Sequence, residues 1–238
     1  GSAFTVGQAG VVTASGIRVG SGITIDSASG IITATAFVGA LTGNVTGNIS
    51  GGTVAGSTGT FTGDVDIADK IIHTGDTNTA IRFPAADTFT VETAGSERFR
   101  VTSTGGLHLN NAELMERVNI TAGKLSDNQN INLDNGMVHL FTTTETATST
   151  PNIISNAGIN TSMATGDALS VNIITTTAAA AYSERVKIDG LLTGITTSWN
   201  GGSAPSAGGS SGKDFYSYTI IKTGDAAFTV LGNLSNFA

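Results

Sequence analysis

Cysteine is absent from the 238 residues. No disulfide framework and no thiolate-ligated zinc or iron–sulfur site is therefore available to the chain. Charge is scarce too: 11 basic and 18 acidic residues leave a net charge of −7. The basic stripe that follows a phosphate backbone is missing, as is the positive patch that holds a protein on an anionic lipid surface. No apolar run reaches the roughly 18 residues needed to span a bilayer. Proline occurs three times and Gly does not fall at every third position, which excludes a collagen helix. What is abundant is Gly, at 32 residues, and Thr, at 37. Both are poor helix formers, so a mainly helical protein is not expected. An apolar content of 39% argues against disorder. The composition predicts an all-β chain with many turns. Its start, Gly1-Ser2-Ala3-Phe4, shows no signal-peptide pattern and reads as a tag remnant or the cut end of a longer chain.

Residues 10–14 (Gly-Val-Val-Thr-Ala) and 30–34 (Gly-Ile-Ile-Thr-Ala) repeat a motif. The stretch after them is the most regular in the protein. Odd positions read Phe37, Gly39, Leu41, Gly43, Val45, Gly47, Ile49, Gly51, and the even positions from Thr42 onward are polar. A helix would scatter these residues around its axis, whereas an extended strand places all odd positions on one face. That face carries a large side chain every four residues with a gap between. A ribbon this thin has no partner in its own segment and cannot bury enough surface to offset its ordering entropy. Neighbouring chains can interlock over the Gly gaps. The pattern returns at Phe61 and Val65, and predicts an oligomeric β shaft with a core of Phe37, Leu41, Val45, Ile49, Phe61 and Val65. The alternative for this stretch is a plain Gly/Ser/Thr linker.

Four regions follow from the changes in pattern. Residues 1–63 are the shaft. Residues 64–109 alternate strand-like runs with turn residues and read as a β-hairpin meander. Residues 110–136 form a connector. Within it Asn110–Val118 is the best helix candidate, with Asn111 as cap and Leu114, Met115 and Val118 on one face. Residues 137–238 carry alternating runs such as Leu169/Val171/Ile173, and predict an antiparallel β-sandwich head.

Three stretches carry a family resemblance: Gly30–Gly51, Ile71–Gly105, and Val118–Thr144 together with Trp199–Thr223. They resemble tail-fibre and related virion appendage proteins of tailed bacteriophages, above all those of marine cyanobacterial phages. The resemblance implies a homotrimeric, rod-like virion component whose distal end meets the host surface. It implies partners of three kinds: two further copies of the chain, other tail or baseplate proteins, and a bacterial surface glycan or protein. It also implies assembly in the bacterial cytoplasm and action outside the cell on the virion. The number three comes from this resemblance, because the residue pattern demands only more than one chain.

No catalytic motif is found: there is no nucleophile elbow, phosphate loop or H-E-x-x-H. An enzyme, a cofactor, a bound metal, a nucleic-acid partner and membrane insertion are not expected. His73, His108 and His139 are far apart and read as strand residues rather than ligands. Asp64, Asp66 and Asp69 lack the spacing of a Ca²⁺ loop. Asp87, Glu92 and Glu97 are the carboxylates a polysaccharide-degrading spike would have to pair. The best binding candidate is the Gly/Ser-rich loop 201–212 with its flanking aromatics. Trp199, Tyr216 and Tyr218 can stack on sugar rings, and Asn200, Ser210, Ser211 and Asp214 can supply polar contacts. The competing reading puts Trp199, Phe215 and Tyr218 in a core.

Overall fold

A computed structural model describes residues 58–238, so the expectations that rest on Phe37, Leu41, Val45 and Ile49 lie outside the described residues. The chain divides into two units, Gly1–Gly63 and Asp64–Ala238. Phe61 in the first is 72% exposed and Val65 in the second is 51% exposed, so neither enters a core of the single chain.

Short β-branched and aromatic runs between turn residues favour strands joined by tight hairpins. Five follow one another: β1 (Lys70–His73), β2 (Asp76–Ala85), β3 (Thr88–Thr93), β4 (Ser96–Val101) and β5 (Leu107–Leu109). They form one antiparallel sheet in chain order. The β3–β4 turn places Ala94 and Gly95 at φ 50° and 70°. Two left-handed residues in succession match the twist of a two-residue hairpin. Phe83, Phe89 and Phe99 run across one face with ring centroids 6.1 and 6.3 Å apart.

The expected helix at Asn110–Val118 is absent. Residues 110–117 are irregular, and β6 (Val118–Thr121) begins where the helix was to end. Two causes are visible. A helix of this length is unstable alone and survives only by burying a face, yet Leu114 and Met115 are 84% and 82% exposed. The intended cap is also claimed by the preceding sheet. Asn111 takes a left-handed φ of 50° and its carbonyl accepts from Arg98, while the Asn110 amide donates to Glu97.

Beyond β6 the strands are β7 (Asn130–Asn132), β8 (Val138–Thr144), β9 (Asn152–Ile154), β10 (Ala168–Thr176), β11 (Lys187–Ile188), β12 (Ile195–Trp199), β13 (Lys213–Gly224) and β14 (Ala227–Phe237). One helical turn, α1 (Ile159–Ser162), lies between β9 and β10. Two sheets result, ordered β12-β14-β13-β10-β8-β6 and β11-β9-β7. Successive strands from β6 to β11 alternate between the sheets, and neighbours within each sheet run parallel. The chain therefore winds through three stacked rungs, β6–β7, β8–β9 and β10–β11, in the manner of a short solenoid.

This corrects the antiparallel expectation for the head. Only β10·β13 and β13·β14 are antiparallel in the larger sheet, and the other three pairings are parallel. The physical reason is the route of the chain. Each strand is followed by a strand of the opposite sheet, so the chain re-enters the first sheet in its original direction. A two-residue alternation is the same for either direction and does not distinguish them.

Register stacks like on like. Ile131, Ile153 and Ile188 sit opposite one another on β7, β9 and β11, and each is at most 1% exposed. Each contributes roughly 1.5–3 kcal/mol by burial. They join one core with Phe141, Val171, Ile173, Tyr216, Tyr218, Ile220, Phe228 and Val230 from the larger sheet. At the turns between sheets, carboxylates collect backbone donors. Glu145, 5% exposed, accepts from the amides of Leu125 and Ser126 at 2.7 and 2.8 Å. Asp189 accepts from the amides of Ile159 and Asn160 at 3.0 and 2.9 Å, holding α1 in place.

Candidate functional site

The seven predicted contact residues do not form one surface. Strand β13 alternates strictly: Asp214, Tyr216, Tyr218, Ile220 and Lys222 are buried, while Lys213, Phe215, Ser217, Thr219 and Ile221 are half-buried on the opposite face. Tyr216 and Tyr218 are 2% and 0% exposed and Asp214 is 0% exposed. The assignment of these three as receptor contacts is corrected by their burial. They share the inward parity of Ile220, a signal that strand periodicity carried in the sequence.

Their buried roles are specific. The Tyr216 hydroxyl accepts from the Ser183 amide at 3.2 Å, and its ring stacks on Tyr218 at 6.3 Å with the planes 6° apart. Burial pushes both phenols well above their ordinary pKa, with the nearby Asp214 and Glu145 charges adding to the effect at Tyr216. Asp214 accepts from the Gly209 amide at 2.9 Å and from the Asn236 side-chain amide at 2.5 Å. It fixes the end of loop 201–212 to the last strand.

Trp199 is half-buried at the end of β12. Its Nε1 donates to the Glu184 carbonyl at 2.7 Å, and its ring meets Tyr218 edge-on at 5.8 Å. The ring lies over Gly232, where a Cβ would come within 3.0 Å of it. Gly at 232 is thus required by close approach, and Trp199 acts as a clamp on the hairpin with only its rim available to solvent.

Asn200, Ser210 and Ser211 are exposed. They are not neighbours. Trp199 pairs with Gly232 opposite Tyr218, whereas Ser210 and Ser211 precede Lys213, which pairs with Phe237. The five residue steps along β13 from Lys213 to Tyr218 separate these rows by roughly 17 Å.

A different set converges beside Asn200. Ser198, Ser217, Thr219, Leu231 and Asn233, with the rims of Trp199 and Gly232, line a shallow depression of about 390 Å³ on the outer face of β12, β14 and β13. Asn200 Nδ2 donates to Asn233 Oδ1 at 3.1 Å across it. Hydroxyls and amides around Leu231, 48% exposed, make an uncharged surface with donors, acceptors and one apolar contact. Sequence reasoning missed these residues because it followed aromatic side chains. The outward parity of Ser217, Thr219, Leu231 and Asn233 was the available signal.

The other candidates resolve into structural pairs. Asp69 and Glu92 lie 3.3 and 3.5 Å from Arg82. Glu97 binds Arg100 Nε at 2.8 Å, and this hydrogen bond holds its carboxyl below the usual range. Asp64, Asp66, Asp87, His73 and His108 are exposed. His139 is buried between Asn119 Nδ2, 3.1 Å from Nδ1, and the Gly136 carbonyl, 3.0 Å from Nε2. A neutral ring donating through Nε2 satisfies both contacts. Burial lowers its pKa. Among the described residues, no three His, Asp or Glu side chains gather as a cation site, and no helix is long and apolar enough to cross a membrane.

Comparison with protein-family models, characterised proteins and solved structures finds no match to this chain.

Proposed function

We propose that the chain is a structural fibre protein of a tailed phage, trimeric and attached through other tail or baseplate proteins. Its last hundred residues adhere to a bacterial surface glycan or protein. The observation that carries this reading is the strict alternation of large apolar residues with Gly over residues 37–51, taken with the resemblance to phage appendages. The β-rich fold of the described residues agrees with it. Attachment is non-covalent and multivalent. Weak sites repeated on one rigid assembly gain about 10²–10⁴ in avidity through effective concentration.

The adhesive surface is the depression at Ser217, Thr219, Leu231 and Asn233 with Asn200, in place of the buried tyrosines. An uncharged lining of amides and hydroxyls suits the hydroxyls of a neutral sugar. Replacing Asn233 and Thr219 by Ala is expected to lower host adsorption of the assembled protein at least tenfold without changing its melting temperature. Undiminished adsorption by a well-folded double variant removes this surface from the proposal and favours a purely structural appendage.

A polysaccharide-degrading spike draws support from one observation, the three parallel rungs. Against it, Glu145 and Asp214, the carboxylates buried among those rungs and their closing hairpin, are occupied by backbone or amide donors. Release of reducing ends from host glycan is the measurement that decides for a spike.

A further inference from the structure

Asn is followed by Gly twice in the chain, at Asn135-Gly136 and Asn200-Gly201. This pair carries a chemistry of its own. The Gly amide nitrogen can close a five-membered ring on the side-chain carbon Cγ of the Asn before it, and Gly puts no side chain in the way. Whether the ring closes depends on whether the fold lets the nitrogen reach the carbon.

The two sites differ in that respect. Asn135 ends a single 3-10 turn, Leu133–Asn135, and the Gly136 amide donates to the Leu133 carbonyl at 3.0 Å. A Cβ at Gly136 would come within 2.6 Å of the Arg117 carbonyl oxygen, so the backbone there is closely packed. The nitrogen must leave its acceptor and shift that backbone before it can attack. Asn200 instead opens a 3-10 turn, Asn200–Gly202, so the Gly201 amide has no acceptor behind it in the turn. No atom lies within 4 Å of where a Cβ of Gly201 or Gly202 would stand. Residues 201–204 are exposed, and the loop is next held by the Gly208 amide on the Ala179 carbonyl and by the Gly209 amide on Asp214. The Asn200 side chain is itself exposed. Its Nδ2 donates to Asn233 Oδ1 at 3.1 Å, which leaves its Cγ open to attack.

We propose that Asn200 is a self-modification site, at which spontaneous deamidation places a negative charge in the depression and weakens adhesion; the inference rests on the adhesive reading of that surface. The Gly201 nitrogen attacks Asn200 Cγ. The N–Cγ bond forms, the Cγ–Nδ2 bond breaks, and Nδ2 departs as ammonia with the proton that Gly201 gives up. Water then opens the ring. Addition at Cγ leaves an aspartate in the normal backbone, and addition at the main-chain carbonyl leaves an isoaspartate. Either product exchanges an amide for a carboxylate. The donor to Asn233 is lost, and a charge enters a lining made of Ser198, Ser217, Thr219, Leu231 and Asn233, none of which is ionised. A neutral sugar seated there would have to cover a carboxylate that prefers water. The fold thereby couples the age of the protein to its grip, and it does so at one Asn-Gly pair and not at the other.

The test follows both pairs in the full chain during incubation in mildly alkaline buffer, with peptide mapping by mass spectrometry and enzymatic methylation of isoaspartate. In the folded protein, position 200 is expected to convert at least tenfold faster than position 135, a margin that release of one hydrogen bond before attack supplies. In urea the two rates are expected to converge. Equal rates in the folded protein, or a gap that persists in urea, overturn the proposal. Adsorption to cells that bind the fresh protein is then measured before and after incubation. The converted protein is expected to lose at least fivefold, the worth of about one hydrogen bond, at an unchanged melting temperature. Gly201→Ala lies outside the lining, and its Cβ shields the nitrogen, so this variant is expected to keep its own fresh value. Undiminished adsorption by protein fully converted at position 200 overturns the proposal. The double variant Asn233→Ala with Thr219→Ala then shows which reading failed. If it has lost adsorption, the inference about Asn200 falls alone; if it adsorbs undiminished, the adhesive surface falls with it.

Discussion

Two stacked tyrosines give opposite predictions for the same chemical change. Tyr216 and Tyr218 are both buried, yet only the Tyr216 hydroxyl has a partner, the Ser183 amide at 3.2 Å. Among the described residues the Tyr218 hydroxyl has none. Tyr216→Phe therefore leaves the amide of Ser183, a residue 1% exposed, without its acceptor. An orphaned buried donor costs about 1–3 kcal/mol. For a folded unit of this size, each kcal/mol lowers the melting temperature by roughly 2–4 °C, so a fall of about 2–12 °C is expected. Tyr218→Phe removes a buried hydroxyl that carries a desolvation cost of about 1–3 kcal/mol and returns nothing in the fold. Its melting temperature is expected to be equal to or above that of the parent. Thermal and urea unfolding followed by circular dichroism report both. Host adsorption below the transition is expected to be unchanged in both variants, because neither ring reaches the surface. Equal destabilisation by the two substitutions refutes the reasoning, since it would show the Tyr218 hydroxyl engaged as fully as its neighbour.

Two further outcomes follow from buried polar groups. His139 has a folded pKa below its ordinary 6.5, so the unfolded chain takes up its proton first as the pH falls. Its contribution is complete above pH ~6.5 and is lost as the pH drops from there toward the folded pKa. The urea midpoint is expected to decline over that window in the parent and to decline less in His139→Gln. Glu145→Ala removes the acceptor of two amides, one of them on the 2%-exposed Leu125. A loss of about 2–4 kcal/mol is expected, read as a shift of the urea midpoint.

Much of the strand content was legible, and for a clear reason. The alternating run Leu169/Val171/Ile173 lies inside β10, with Ser170 and Asn172 between on the opposite face. The short strands β7 and β9 were not legible. Each has three residues in Asn-rich sequence, and what makes them strands is the register of Ile131 on Ile153 and of Asn130 on Asn152. The Asn152 amide donates to Asn130 Oδ1 at 3.0 Å, an interaction 22 residues apart in sequence that local propensity does not contain. The false helix at Asn110–Val118 failed for the opposite reason. Its spacing was helical, but it had nothing to pack against, and Glu97 and Arg98 had already engaged Asn110 and Asn111.

The candidate surface divides in the same way. Aromatic residues drew attention to the hairpin that carries the depression, but to its buried face. Parity along β13 and β14 placed Tyr216 and Tyr218 inside and Ser217, Thr219, Leu231 and Asn233 outside. What no local pattern held was which strands lie side by side. Ser198, Thr219 and Leu231 meet because β12 pairs parallel to β14, and β14 pairs antiparallel to β13.

By itself, then, the sequence determined the kind of secondary structure. A chain rich in Gly and Thr, poor in helix formers and alternating with a period of two must be extended, and without cysteine it must be held by packing. Tertiary structure decided direction and pairing. Three rungs run parallel because each strand returns through the opposite sheet, and that route is fixed by contacts between residues 20 to 35 positions apart. Alternation says which side chains share a face. Only closure of the chain on itself says which faces meet.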